Sequence, residues 1–249
     1  LFYNNPRVWK NFKLTVNGYG PLIVRVLRFL SGKNLANFLF INPNIRYEEY
    51  MRDVKSPLHL VEANSLHFKI NLNFDFIANE IYFSQKEIIA FTEKFKLPSS
   101  YSVIQPNSKT SYTPNKQWGF QKYQKVIAQL KNITWIQIGV TGDLLLNDVE
   151  NYVGKTSLRE LAFIIKNAEF IVADEGLLNH IASAVKTKSY VVYSGFSNID
   201  IAKYNETISI VNNPQVNCAP CWITSNCPKK IKYCTEQIPI EQVINQIKY

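Results

Sequence analysis

From Tyr101 onward the chain alternates short apolar strand signals with amphipathic helix signals, and this limits the fold more than any other feature. Residues 102–105 and 134–138 read as strands, the second ending at Gly139. Residues 120–130 between them read as a helix with Tyr123, Ile127 and Leu130 on one face. A helix over 157–167 opens on a Ser157/Glu160 capping box. A strand over 169–173, a helix over 177–185 and a strand over 189–193 follow. Residues 208–211 give a further strand signal, and 240–247 the last helix. Strands and helices alternating at this spacing predict an α/β domain with a parallel sheet covered on both faces. Ligands of such sheets bind beyond the carboxyl ends of the strands. The loops after Gln105, Ile138, Ala173 and Tyr193 are therefore the ones to inspect.

Residues 1–97 have weaker periodicity. Residues 84–95 read as a helix with a Ser84/Glu87 capping box and Ile88, Phe91 and Phe95 on one face. Residues 56–68 read as a helix with Pro57 in its first turn. Residues 21–30 read as a short amphipathic helix. Pro98 disfavours helix at Leu97, so 96–100 is read as a linker. The expected division is residues 1–97 and residues 98–249.

The composition, 46% apolar and 19% charged, is that of folded domains. No apolar run reaches the roughly 18 residues needed to cross a bilayer, and no targeting signal is visible, which favours a cytoplasmic protein. A net charge of +9 fits a polyanionic partner or a solvated surface. No dense basic stripe is present, which argues against nucleic acid. Lys and Arg near an anionic membrane face remain a second use for the charge.

The loop over 106–118 is dense in hydroxyls and amides, carries Lys109 and Lys116 and leads into a helix N-terminus, where free amides and the helix dipole favour anions. It reads as a diphosphate cradle or as an ordinary polar loop. Gly139-Val140-Thr141-Gly142-Asp143 is a ligand-approach loop or a plain turn. The absence of a Gly-x-Gly-x-x-Gly pattern disfavours a dinucleotide-dependent dehydrogenase. Asp174 and Glu175 end an apolar strand just before Gly176 and a helix containing His180. There they suit a ribose or sugar hydroxyl, or act as a helix cap. All four cysteines fall between residues 218 and 234. Cys218, Cys221, Cys227 and Cys234 could close a structural zinc or iron site, form disulfides or stay as thiols.

Lys116-Gln117-Trp118, then Gly154-Lys155-Thr156-Ser157-Leu158-Arg159-Glu160-Leu161, then the block 174–184, then Ser194-Gly195-Phe196 and last the cysteines occur in one order. In that order they resemble glycosyltransferase family 9, the bacterial lipopolysaccharide heptosyltransferases and their relatives. The likeness runs from about Tyr101 to the C-terminus, with a looser match at residues 1–8.

The resemblance implies a GT-B architecture, two Rossmann-like domains with parallel sheets, of which the N-terminal one is expected to be incomplete. It implies inverting transfer of a sugar, heptose included, from a nucleotide-sugar to a surface glycan, lipid-linked or protein acceptor, with no metal needed for chemistry. Asn107, Ser108 and Lys116 would bind the donor phosphates. Gly139, Thr141, Thr156, Ser157 and Leu158 would lie near the nucleoside. Asp174, Glu175, Gly176 and His180 would contact the nucleotide-sugar. Glu175 has the family's five-residue spacing to the histidine, while Asp174 has the better spacing to a glycine, so either qualifies as the ligand. The family's general base is expected upstream of Leu1. A catalytically silent nucleotide-sugar-binding or scaffold protein is the alternative.

Overall fold

The computed structural model describes His59, residues 80–108 and residues 112–248. The sequence signals over 1–8, 21–30 and 56–68 thus fall, His59 apart, outside the described residues. Residues 80–248 lie in one compact unit.

The elements in chain order are α1 (Gln85–Lys94), β1 (Ser102–Gln105), a 3-10 turn (Pro114–Lys116), α2 (Phe120–Gln129), β2 (Trp135–Gln137), β3 (Glu150–Asn151), α3 (Leu158–Lys166), β4 (Phe170–Asp174), α4 (Leu177–Val185), β5 (Lys188–Val192), a 3-10 turn (Ile199–Ile201), β6 (Thr207–Ile210), α5 (Tyr233–Glu236) and α6 (Ile240–Lys248). The strands form one sheet in the order β3-β2-β1-β4-β5-β6. Every pairing is parallel. The expected parallel α/β domain is therefore present. Two short elements, β3 and α5, had no clear sequence signal.

Successive strand residues point to opposite faces, and the core divides accordingly. Ile104, Trp135, Val172, Tyr190 and Val192 face one layer, with Tyr123, Val126 and Ile127 of α2 and Val243 and Ile244 of α6. Val103, Ile136, Ile171 and Ala173 face the other, with Ile164 and Ile165 of α3 and Leu178 and Ile181 of α4. The strands are buried from both sides, which explains their near-continuous apolar character.

Both expected capping boxes form, at Ser84/Glu87 and Ser157/Glu160. Helix α1 lies on α3 through Phe91, whose ring centroid is 5.5 Å from that of Phe163. Arg159 of α3 donates to Glu87 and to the Tyr82 carbonyl. Burial opposes ionisation of Glu87, but the Arg159 and Ser84 hydrogen bonds outweigh it and hold its pKa down at about 2. Among the described residues no helix is long and apolar enough to cross a membrane.

The order of the strands fixes where a ligand can enter. The chain leaves β1 toward β2 and β3 on one side, then returns to lay β4 on the other side of β1. In parallel sheets the loops at such a reversal part, and ligands bind in the crevice beyond the carboxyl ends of those strands. Because Ile104 in β1 is fully buried, Ile104→Ala should cost about 2–5 kcal/mol of unfolding free energy, read from urea denaturation. A loss below about 1 kcal/mol would contradict this packing.

Candidate functional site

At this reversal the loop after β1 meets two carboxylates at the end of β4, Asp174 and Glu175. Asp174, the last residue of β4, is 4% exposed. Its Oδ1 accepts from the Trp118 backbone N–H at 3.1 Å and from the Tyr123 hydroxyl at 2.7 Å. Its Oδ2 is buried and has no hydrogen-bond partner. Burial raises the Asp174 pKa to about 7, against the lowering effect of Tyr123, Trp118 and Lys232. The same burial, with Asp174 beside it, raises the Tyr123 pKa. Asp174 thus ties the exit of the loop after β1 to the sheet and faces the interior.

Glu175, in the bend just after β4, turns the other way. Its Oε1 accepts from Lys116 Nζ at 2.9 Å. The Ser197 hydroxyl lies 2.8 Å from both carboxylate oxygens. Lys116 Nζ also lies 5.0 Å above the Phe196 ring. Two residues 59 apart in the chain, Lys116 and Glu175, therefore meet at the strand reversal.

Other residues hold this arrangement in place. The turn over 114–116 is capped by Thr113, whose Oγ accepts from Asn115 N–H. Gly119 opens α2 at φ +125°, a backbone conformation that favours glycine. Asn179 of α4 is fully buried; its side-chain NH2 donates to Ala202 O and Tyr193 OH, and its Oδ1 accepts from Thr207 and Ser189. That fixes α4, whose N-terminus has no side-chain cap.

His180, one residue on, is half-buried, with Nδ1 2.7 Å from the Tyr204 hydroxyl. Burial lowers its pKa; the Glu175 charge opposes this and Lys116 adds to it. The imidazole is thereby kept neutral near physiological pH.

The remaining sequence candidates fall into two groups. Ser108 Oγ is buried without a partner among the described residues. Asn107 Nδ2 donates to Leu144 O at 3.4 Å, joining the loop after β1 to the loop after β2. Gly139 lies in a tight turn closed by Asp143, which accepts from Val140 N–H. A Cβ at Gly139 would sit 2.4 Å from Asp143 Oδ2. Gly154 donates to Gly139 O, and its φ is +70°. A Cβ there would lie 2.5 Å from Thr141 Oγ. The loop of Thr141 is thus held against the one that leads to Thr156, Ser157 and Leu158. Ser157 is occupied in capping α3, and Leu158 is 45% exposed. Among the described residues no hydrogen bond joins Thr156, Ser157 or Leu158 to the Lys116–Glu175 pair. Gly176 caps α4 and has room for a Cβ, so no close approach requires glycine there.

The structure bears on the three readings open for the cysteines, a metal site, disulfides or thiols. Cys218, Cys221, Cys227 and Cys234 are free thiols. Among the described residues no three His, Cys, Asp or Glu side chains are grouped so as to hold a metal ion. As these thiols stand, they do not fit a structural zinc or iron. Burial, assisted by the other three cysteines, pushes the Cys221 thiol up, so it is poorly suited to act as a nucleophile. Spacing of C-x2-C type permits chelation but does not by itself turn four side chains to one point.

Sequence reasoning missed Ser197, Tyr123, Tyr204 and Asn115. Ser197 follows the Ser194-Gly195-Phe196 block directly, and Trp118 belongs to the Lys116-Gln117-Trp118 block. Those segments carried the signal, but a hydrogen bond across the sheet has no signature in local spacing.

The profile of glycosyltransferase family 9 (heptosyltransferase) matches residues 33–232. No curated protein sequence gives a significant match. Among solved structures, the chain is similar to ADP-heptose lipopolysaccharide heptosyltransferase II of E. coli, with 17% identity and a TM-score of 0.55 over 71% of this chain and 54% of that one. It is similar to a family 9 glycosyltransferase from Veillonella parvula, with 13% identity and a TM-score of 0.58 over 78% and 60%. It is also similar to TibC, an iron-containing dodecameric glycosyltransferase of enterotoxigenic E. coli, with 16% identity and a TM-score of 0.54 over 77% and 52%. At these identities the likeness concerns the fold. The chain spans between 52% and 60% of the length of these three structures.

The Asp174 pKa gives a signed pH test. In the window from its ordinary value of 3.8 up to about 7 the folded state holds the extra proton, so this group's contribution to stability falls as pH rises. Asp174→Asn should therefore gain stability relative to the unsubstituted chain between about pH 4 and about pH 7, measured by urea unfolding across that range. A difference that does not change with pH would contradict a buried, proton-holding Asp174.

Proposed function

The chain belongs to glycosyltransferase family 9, and on that premise we propose that it transfers a sugar from a nucleotide-sugar donor held at the β1/β4 crevice to a hydroxyl of a second substrate. The observation that carries this reading is the Lys116–Glu175 pair at the strand reversal, beside the uncapped N-terminus of α4. A cation and free helix amides suit a diphosphate. A buried carboxylate beside them suits sugar hydroxyls, which donate to it. Of the two acidic residues, Glu175 is the donor ligand in this reading, because Asp174 is committed to Trp118 and Tyr123. Asn107 and the buried Ser108 hydroxyl supply further donors to the phosphates. The nucleoside lies toward Gly139, Thr141, Thr156, Ser157 and Leu158. Gly176 admits the ligand to the helix amides, and His180, kept neutral, stands one turn behind.

The chemistry is a displacement at the anomeric carbon. A carboxylate of the N-terminal domain takes the proton of the attacking hydroxyl. The new carbon–oxygen bond forms on the face opposite the nucleotide, the bond to the diphosphate oxygen breaks, and the electron pair leaves with the diphosphate. Configuration is inverted. Charge develops on the leaving diphosphate, where Lys116 and the α4 amides can stabilise it without a metal.

TibC is solved with ADP-D-β-D-heptose, so that compound is the first donor to test. The acceptor is a glycan, lipid-linked or protein hydroxyl. Lys229 and Lys230 are exposed and, with the net charge of +9, support a cytoplasmic enzyme that touches an anionic membrane face.

Lys116→Gln keeps a polar side chain and removes the charge. It should lower kcat by about 10²–10³-fold, measured by release of nucleoside diphosphate from the accepted nucleotide-sugar, with an unchanged circular dichroism spectrum. An unchanged kcat would contradict the role given to Lys116.

A further inference from the structure

The Lys116 turn is one turn of 3-10 helix, three residues long, and a turn of that length has little intrinsic stability. Its anchors come from residues more than a hundred positions later. Thr113 Oγ donates to Ile223 O at 3.0 Å. Asn115 Nδ2 donates to Ile223 O and to Ser225 O, both at 2.7 Å. Lys232 Nζ donates to Pro114 O and Gln117 O. The Trp118 indole donates to Ile238 O.

The Glu175 side of the pair leans on the same stretch. Ser197 grips Glu175, and its loop is bound to the cysteine segment by two backbone hydrogen bonds, Cys221 N to Gly195 O and Trp222 N to Phe196 O, both 2.9 Å. The Phe196 ring, over which Lys116 lies, packs edge-on against Trp222 at 5.5 Å. A Cβ on Gly195 would touch Ala219 and Cys234 at 3.1 Å each, so the two strands of this brace are already in close contact. The segment 221–238 therefore borders both halves of the Lys116–Glu175 pair.

Resting on the donor-site reading above, we propose that Asn115 is a positioning residue, which sets Lys116 against Glu175 and the donor diphosphate by tying the turn 114–116 to the carbonyls of Ile223 and Ser225. The residue type fits the task. One amide NH2 supplies two donors, which reach Ser225 O and, beside the Thr113 hydroxyl, Ile223 O. Asn115 is 5% exposed, so water does not substitute for the lost bonds. Aspartate is the same shape but ionises to an acceptor only, placing a carboxylate against two carbonyl oxygens.

The test uses the full chain and the tightest binder among ADP, GDP and UDP, measured by calorimetry. Asn115→Asp should weaken that nucleoside diphosphate by about 10–100-fold, the range expected of one misplaced charge-assisted hydrogen bond. Thr187→Val serves as the control for a merely structural loss. It removes an equally buried side-chain bond to a backbone oxygen, Ile165 O at 2.8 Å, between the turn after α4 and helix α3. It should lower the melting temperature comparably and leave the affinity unchanged. In a Lys116→Gln background, Asn115→Asp should have no further effect, because it acts through Lys116. Wild-type affinity in Asn115→Asp would overturn the proposal. So would an equal loss in the Lys116→Gln background, or the same loss from Thr187→Val. A chain that binds none of the three nucleoside diphosphates would overturn the donor-site reading itself, and this inference with it.

Discussion

The reversal of strand order between β1 and β4 is the constraint from which the site follows. A backbone that crosses the sheet in one direction after β1 and in the other after β4 parts its two loops at that point. The loop after β1 brings a lysine and a tight turn, and the one after β4 brings a carboxylate and an open helix end. The parallel pairing of β1 with both β2 and β4 makes this crevice a property of the fold, before any particular side chain is considered.

Two adjacent carboxylates then divide the work by strand geometry. The pleat sends Asp174 into the layer occupied by Tyr123 and Trp118, and Glu175 toward Lys116 and Ser197. The inward carboxylate joins a sheet to a loop at an electrostatic cost, visible in its pKa of about 7. The outward one sits in a cation's field and keeps its oxygens satisfied. A one-residue slip of β4 would turn Asp174 to the opposite face of the sheet, so the register of the sheet is also the register of the site.

Much of the fold was legible in the sequence, and the reason is periodicity. The strands over 102–105 and 134–138 carry short runs buried on both faces, the helices over 120–130, 157–167 and 177–185 carry apolar residues at a period of 3.6, and two capping boxes marked helix starts. Strand β3 is two residues long, too short for any period. The site was legible as a set of loops, because ligand loops follow parallel strands, but not as a set of contacts. Lys116 with Glu175, and Asn115 with Ile223, meet through the sheet and not along the chain. Spacing to His180 or to Gly176 does not distinguish Asp174 from Glu175; their hydrogen-bond partners do, Trp118 and Tyr123 for the first and Lys116 and Ser197 for the second. The cysteine spacing suggested a metal and the placement of the four thiols does not, since chelation depends on orientation that spacing leaves open. What the cysteine segment does visibly is brace the loops on either side of the crevice.

The most direct measurement of the central claim is the position of a diphosphate on the protein. A crystal structure of the chain with its preferred nucleoside diphosphate should place the phosphates between the ends of β1 and β4, within hydrogen-bond distance of Lys116 Nζ and the first amides of α4. Phosphates bound elsewhere on the sheet edge, with Lys116 still closed on Glu175, would contradict it.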